Sequence, residues 1–170
     1  MVIEDFNRSL DRWIKELGDN TFAHVCAKPS SNSWSLGQVC MHLIEATYHY
    51  LEEIKICLST HDHVMEEMST NAKTMFLNNE FPDELIEGPP TNANTPQPNS
   101  KEELINGLKK LKEEINVVAI QIVTNPNKGK TKHPGLNYFN AGEWLQFAEM
   151  HFRHHFRQKK RITEFLNSLR

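Results

Sequence analysis

Residues 140–158 read NAGEWLQFAEMHFRHHFRQ. Asn140, followed three residues later by Glu143, forms a capping box, which marks the beginning of a helix. Apolar residues then recur at helical spacing almost to the C-terminus. His151 and His155 are four residues apart and share this apolar face. The stretch therefore predicts a long last helix that carries two imidazoles, one turn apart, on its interior side.

The same periodicity predicts three further helices. Ser35 with Gln38 and Ser100 with Glu103 form two more capping boxes, each at the beginning of a regular apolar stripe. The four predicted helices have the approximate bounds 6–17, 35–58, 100–125 and 140–169. No segment shows the pattern expected of a strand. The chain is therefore predicted to be an all-α four-helix bundle in a single domain, residues 1–170.

The link between the second and third helices is unusually long. Residues 59–99 contain five of the eight prolines, and proline blocks the continuation of a helix. We expect a short helix around Thr70 to Leu77, followed by an extended connection. A link of this length permits a crossover, so the bundle need not follow a simple up-down-up-down path.

Composition excludes several classes of protein. No apolar run approaches the ~20 residues that a membrane-spanning helix needs. The net charge of −3 gives no general attraction to nucleic acid. The N-terminus does not resemble a secretory signal, and three cysteines do not suggest a disulfide framework. A cytoplasmic protein with reduced thiols is expected, acting on a small molecule rather than on nucleic acid or membranes.

The nine histidines are the most informative feature for function. Two imidazoles at i and i+4 can converge on one metal ion, and a third ligand must come from another helix. His42, early in the second helix, is the best candidate to join His151 and His155. His49 lies two turns further on, roughly 10 Å away, so it does not share the same ion. Three imidazoles leave one coordination position open, as in catalytic zinc sites.

The remaining histidines carry less weight. His154 is turned ~100° from His155, so we expect it to flank the site. His61 and His63 lie in a predicted loop, and His24 and His133 have no distinguishing pattern. Gln158, one turn past His155, is placed either to hydrogen-bond a metal ligand or to bond another helix.

Three segments together resemble one known family. SWSLGQVCMHL at residues 33–43, HPGLNYFNAGEWLQF at residues 133–147 and HFRHHFRQ at residues 151–158 are similar to the signatures of the DinB superfamily. In that family a Trp-Ser start leads into a helix that ends its motif in His-Leu, and the last helix carries His-x-x-x-His-x-x-Gln. The order and lengths of the predicted helices fit the family over nearly the whole chain.

The resemblance implies a bundle of up-down-down-up topology with a long crossover between helices 2 and 3. It implies one divalent metal ion, often nickel or zinc, on His42, His151 and His155. It also implies a homodimer. Some relatives transfer low-molecular-weight thiols such as bacillithiol to electrophiles, so a thiol is a further expected cofactor.

Three functional hypotheses follow. The first is a metal-dependent thiol S-transferase that acts on small electrophiles, in a groove lined by Trp34, Tyr50, Trp144 or residues of the 59–99 link. The second is a metal-dependent hydrolase that uses metal-activated water. The third is a non-enzymatic helical binding module in which the histidines merely fill the interior. The first two predict a bound metal ion and the third does not.

Overall fold

The computed structural model describes residues 2–83 and 94–169, so the predicted extended connection through Pro89 and Pro90 lies outside the described residues. No helix within these two ranges is long and apolar enough to cross a bilayer. The described elements are α1 (Val2–Asp19), α2 (Phe22–Cys26), α3 (Leu36–Ser59), α4 (Thr70–Asn78), α5 (Lys101–Thr124), β1 (Lys130–His133), β2 (Asn137–Asn140) and α6 (Ala141–Ser168).

The four long helices form the predicted four-helix bundle. Helix α3 packs against α5 and α6, and α1 packs against the same two helices from the other side. Each contributes an apolar stripe to one core, because its large aliphatic and aromatic residues recur every three or four positions. The largest fully buried side chains include Phe6, Trp13, Leu43, Leu104, Trp144 and Phe152.

Side-chain contacts give the directions of the helices around α1. Asn7 hydrogen-bonds Asn116 near the far end of α5, and Lys101 at the beginning of α5 donates to the carbonyl of Asn20, just past the end of α1. These two helices therefore run in opposite directions. In contrast, Phe6 meets Phe152, and later residues of α1 meet later residues of α6, so α1 and α6 run in the same direction.

The predicted capping boxes are complete at two of three helices. At α3, Ser35 accepts from the Gln38 amide and the Gln38 side chain accepts from the Ser35 amide, and α6 has the same exchange at its first turn. At α5 the exchange is incomplete. Ser100 accepts from the Glu103 amide, but the Glu103 carboxylate accepts from the Asn99 amide, one residue earlier than predicted.

The prediction that the chain has no strand is wrong. Strands β1 and β2 form an antiparallel hairpin that pairs Lys130 with Asn140 and leads directly into α6. The short helix α2 was also not predicted. The link after α3 supports the hairpin, because the amide of Gly129 donates to the carbonyl of Thr60 and that of Lys130 to the carbonyl of Asp62. The hairpin therefore fixes where α6 begins relative to the end of α3.

The start of α3 is held from outside by the second half of the long link. The Gln38 side chain donates to the carbonyl of Thr95 over 2.8 Å. Pro98 packs so closely on Gly37 that a Cβ at this position would lie 2.8 Å from the proline ring. The predicted short helix in the first half of the link is confirmed as α4. The link thus anchors the first turn of α3, one to two turns before His42.

Candidate metal centre

Helices α3 and α6 bring the three predicted histidines together. The two helices run in opposite directions, because His42 meets His155 while Tyr50, two turns later on α3, meets Phe147, two turns earlier on α6. The Nε2 atoms of His42 and His151 are 3.2 Å apart, and those of His151 and His155 are 3.0 Å apart. One ring nitrogen from each of the three lies within 4.8 Å of the others.

Burial keeps these imidazoles neutral. It lowers the pKa of His42 to about 4 and that of His155 to about 3. His151 is the most deeply buried, and burial followed by the nearness of His155 and His42 holds its pKa well below the usual range. At neutral pH each ring therefore carries one lone pair that is free to bind a metal ion.

Gln158 orients His155. Its Oε1 accepts a hydrogen bond from Nδ1 of His155 over 2.9 Å. Since Nδ1 then carries the proton, Nε2 presents its lone pair to the other two histidines. The sequence left two roles open for Gln158, a bond to a metal ligand or a bond to another helix. In the structure Gln158 bonds His155, a candidate metal ligand on its own helix.

The arrangement fits a divalent cation. Nitrogen ligands on a tetrahedral zinc ion lie about 3.3 Å from each other, close to the two Nε2 separations observed here. One proton placed between three nitrogens makes a single good hydrogen bond and leaves two lone pairs facing each other. Protonating a second ring is opposed by the lowered pKa values. A cation would satisfy all three lone pairs together, so His42, His151 and His155 could hold one ion.

Aromatic side chains surround the three histidines. Trp34 packs against the His42 ring at 5.1 Å, and Tyr50 against the His151 ring at 5.8 Å. Both were candidates to line the site. Trp144, the third candidate, is fully buried behind Tyr50 and donates its indole hydrogen to the Thr131 hydroxyl. It therefore supports Tyr50 from behind and does not line the site itself.

Phe81 contacts the site and was not singled out by sequence reasoning. It belongs to the long link and packs at 5.9 Å from the His151 ring and 5.3 Å from the His154 ring. The sequence analysis expected residues of the 59–99 link to line the site, but it did not say which ones. Its neighbours along the chain have no periodicity that would mark one apolar residue as functional.

The other histidines lie outside the group, as predicted for His49 and His154. His49 is exposed, and His154 flanks His155 with a ring separation of 5.3 Å. His61 and His63 are exposed in the loop after α3. His133 is more buried than its sequence context suggested, because its ring packs against Phe139, Trp144 and Phe147.

Comparison with known proteins agrees with this picture. The family model of the DinB superfamily matches residues 3–158. The crystal structure of TT2238, a four-helix bundle protein, has a similar fold with a TM-score of 0.60 at 13% identity, over 94% of this chain and 95% of that chain. At this identity the likeness shows the fold alone. Comparison with curated proteins gives no match. The family match covers most of the sequence, and the chain belongs to the DinB superfamily.

Proposed function

We propose that this protein is a metal-dependent enzyme, and specifically a thiol S-transferase that acts on small electrophiles. The observation that carries the proposal is the convergence of three neutral, largely buried imidazoles from α3 and α6, with Nε2 separations of 3.0 and 3.2 Å. Zinc or nickel suits a site of imidazole ligands. The ion would be held by His42, His151 and His155.

The bound ion would supply a positive charge that lowers the pKa of a thiol or of water and favours the anion. The protein's own residues would bind the ion and set its surroundings. The three imidazoles bind through neutral nitrogens, so none of them offsets the double charge of the ion. Gln158 keeps His155 in the tautomer that binds. Trp34, Tyr50 and Phe81 pack against the His42 and His151 rings, and this apolar surrounding strengthens electrostatic interactions at the site.

A thiol is favoured over water by the ease of losing its proton. A free cysteine thiol has a pKa of about 8.5, whereas that of bulk water is about 15.7. Trp34, Tyr50 and Phe81 also provide apolar surface for the carbon skeleton of an organic thiol or electrophile. In the proposed transfer the thiol proton leaves to solvent, the thiolate sulfur forms a bond to an electrophilic carbon, and the leaving group departs with the electron pair of the broken bond.

Metal content is the first test. We expect about one divalent ion per chain in protein purified without a histidine tag or chelator, measured by elemental analysis. His42→Ala and His155→Ala should lose the ion. His49→Ala is the matched control, because His49 is an exposed histidine on the same helix as His42, and it should keep the ion. Equal metal content in all four proteins would falsify the ligand assignment.

Activity is the second test. The metal-loaded protein should consume electrophiles such as epoxides or haloaromatics only in the presence of a low-molecular-weight thiol, and His155→Ala should not. Turnover of ester or amide substrates without a thiol would instead indicate the metal-dependent hydrolase. Metal binding with neither activity would favour a binding module.

Oligomeric state belongs to the same proposal. We propose a homodimer, as expected of the family, and light scattering on the purified protein should give the mass of two chains. A mass of one chain at micromolar concentration would contradict it.

A further inference from the structure

An open groove lies on the outer surface between α1 and α6. It is open to solvent and has a volume of about 680 Å³. Arg153, which lines it, is two residues past His151 and therefore about 200° around the same helix. The groove thus faces away from the three histidines, and no residue of the candidate metal centre lines it.

Three arginines line this groove, and two of them are held by carboxylates. Arg153 makes a bidentate ion pair with Glu149, whose side chain is only 2% exposed. Its Nε donates to Oε1 of Glu149 over 2.7 Å and its Nη2 to Oε2 over 2.8 Å. Its Nη2 also donates to the carbonyl of Asn79, and within residues 2–83 and 94–169 its Nη1 has no hydrogen-bond partner. Arg8 pairs with Asp5 on its own helix. These contacts restrict both guanidinium groups without using all of their donors.

Arg12 is different, because no carboxylate pairs with it within residues 2–83 and 94–169. Its guanidinium instead rests on the face of the Phe156 ring, 4.4 Å from the centroid. The stacking contact orients the planar donor group while leaving its N–H edges free. The three arginines against Asp5 and Glu149 leave one positive charge in excess along the groove lining.

An unpartnered hydroxyl points to the same place. Ser9 lines the groove and is only 6% exposed, yet its hydroxyl has no hydrogen-bond partner in the part of the chain that the structure describes. The hydroxyl differs from fully buried polar atoms without a partner, such as Trp13 Nε1, because it is open to the groove and can donate a hydrogen bond to a ligand there. Ser9 and Arg12 are three residues apart on α1, so they lie on neighbouring positions of one face.

We propose that this groove is a binding site for a small anion with a phosphoryl group. Such a group carries close to two negative charges at neutral pH and offers three strong acceptor oxygens. Arg12 can donate two parallel N–H bonds to it, Nη1 of Arg153 can donate a further bond, and the Ser9 hydroxyl donates one more. A single carboxylate offers two oxygens and one charge, so it satisfies fewer of these donors.

Calorimetric titration at constant ionic strength tests the site, with inorganic phosphate, a sugar phosphate and acetate as the probes. The parent should bind both phosphoryl probes with dissociation constants of about 1 mM or lower and acetate more weakly. Arg12→Gln should weaken phosphate binding about tenfold or more, and Ser9→Ala should weaken it several-fold. Lys15→Gln is the matched control, because it removes the same charge from the same helix outside the groove, and it should change binding less than about twofold.

The results separate this site from the metal centre. Arg12→Gln should retain its metal ion, so its failure to bind phosphate cannot be traced to the candidate metal centre. Failure of the parent to bind either phosphoryl probe would overturn the proposal, as would equal losses in Arg12→Gln and Lys15→Gln. Acetate bound as tightly as phosphate would overturn the ligand class. Should a variant fold poorly, phosphate-dependent shifts of the Arg12 side-chain N–H signal in the NMR spectrum of the parent decide the question.

Discussion

Burial of single side chains determines what the candidate metal centre can do. A histidine with its ordinary pKa is partly protonated near neutral pH and then has no lone pair for a metal ion. The apolar surroundings of His42 and His155 lower their pKa values to about 4 and 3, so both are ready to bind at any physiological pH. The same burial is unfavourable for neutral rings without partners, which makes a bound cation stabilising.

Gln158 gives the first test at this scale. Replacing it with leucine removes the acceptor that fixes the His155 tautomer. Because loss of such a supporting bond typically weakens metal affinity by about 10- to 100-fold, we expect a change of that size for Gln158→Leu. Competition with a chromogenic chelator measures it. Gln146→Leu is the control, since Gln146 lies on the same helix but bonds Asn79, and it should bind metal like the parent.

The second test at this scale concerns His133 and the dependence of protein stability on pH. Its burial lowers its pKa to about 4, below the value of about 6.5 in the unfolded chain. As the pH falls, the unfolded chain therefore takes up the proton first, and stability present above about pH 6.5 is lost down to about pH 4. We expect His133→Gln to lose less unfolding free energy than the parent between pH 7 and 5, by on the order of 1 kcal/mol after allowance for partial exposure.

Urea unfolding of the metal-free proteins at the two pH values measures this difference. Comparison within metal-free protein cancels the contribution of the three metal-centre histidines, which the parent and variant share. His61→Gln serves as the control, because it makes the same substitution at an exposed histidine. An identical loss in His133→Gln and the parent would contradict the expectation.

Sequence reasoning identified the residues of the candidate site whose position follows from a helix. His42, His151 and His155 each lie on an apolar helical face, and a face can be deduced from spacing alone. Phe81 could not be found in this way. Its place over His151 depends on the path of the long link, and that path is set by tertiary contacts rather than by any local pattern.

At the scale of the elements, Gly37 marks the place where the long link packs closely against α3. Gly37 lies in the first turn of α3, and a Cβ there would be 2.8 Å from Pro98 and 3.1 Å from Val25. Gly37→Ala should therefore destabilise the protein by about 1–3 kcal/mol despite the higher helix propensity of alanine, because the long link must move away. Chemical denaturation checks this value.

Gly18 provides the matched substitution. It is also helical, in the last turn of α1, and apart from its two chain neighbours and the backbone of its own helix, no atom of the described residues lies within 4 Å of the place where a Cβ would stand. Gly18→Ala should be neutral or stabilising by up to about 1 kcal/mol. Equal effects of the two alanines would show that the contact between the link and α3 contributes nothing.

The elements also differ in how well local sequence defines them. The long helices were predicted closely because caps and apolar stripes agree, as at Ser35 and Asn140. The hairpin was missed because its strands have four residues each, and Lys130–His133 is a polar run without the alternation of a half-buried strand. It exists because Thr60 and Asp62 supply carbonyl partners from a distant part of the chain.

At the scale of the whole molecule, two distant segments meet only because the bundle is closed. His42 is 109 residues before His151, and they share no local contact that would bring them together in the unfolded chain. The core formed by all four long helices holds α3 and α6 in register. The candidate metal centre is therefore coupled to global folding, and an ion that binds it should stabilise the entire bundle.

Removal of the metal ion tests this coupling. A ligand present at about 100 times its dissociation constant stabilises the folded state by about 2.7 kcal/mol, and a domain of this size shifts in Tm by about 2–4 °C for each kcal/mol. We therefore expect chelation to lower the Tm of the parent by about 5–10 °C in differential scanning calorimetry. His49→Ala should show the same decrease. His155→Ala, which has lost a ligand, should melt at one temperature with and without chelator, whereas a chelator-dependent shift in that variant would mean that the stabilising ion binds elsewhere.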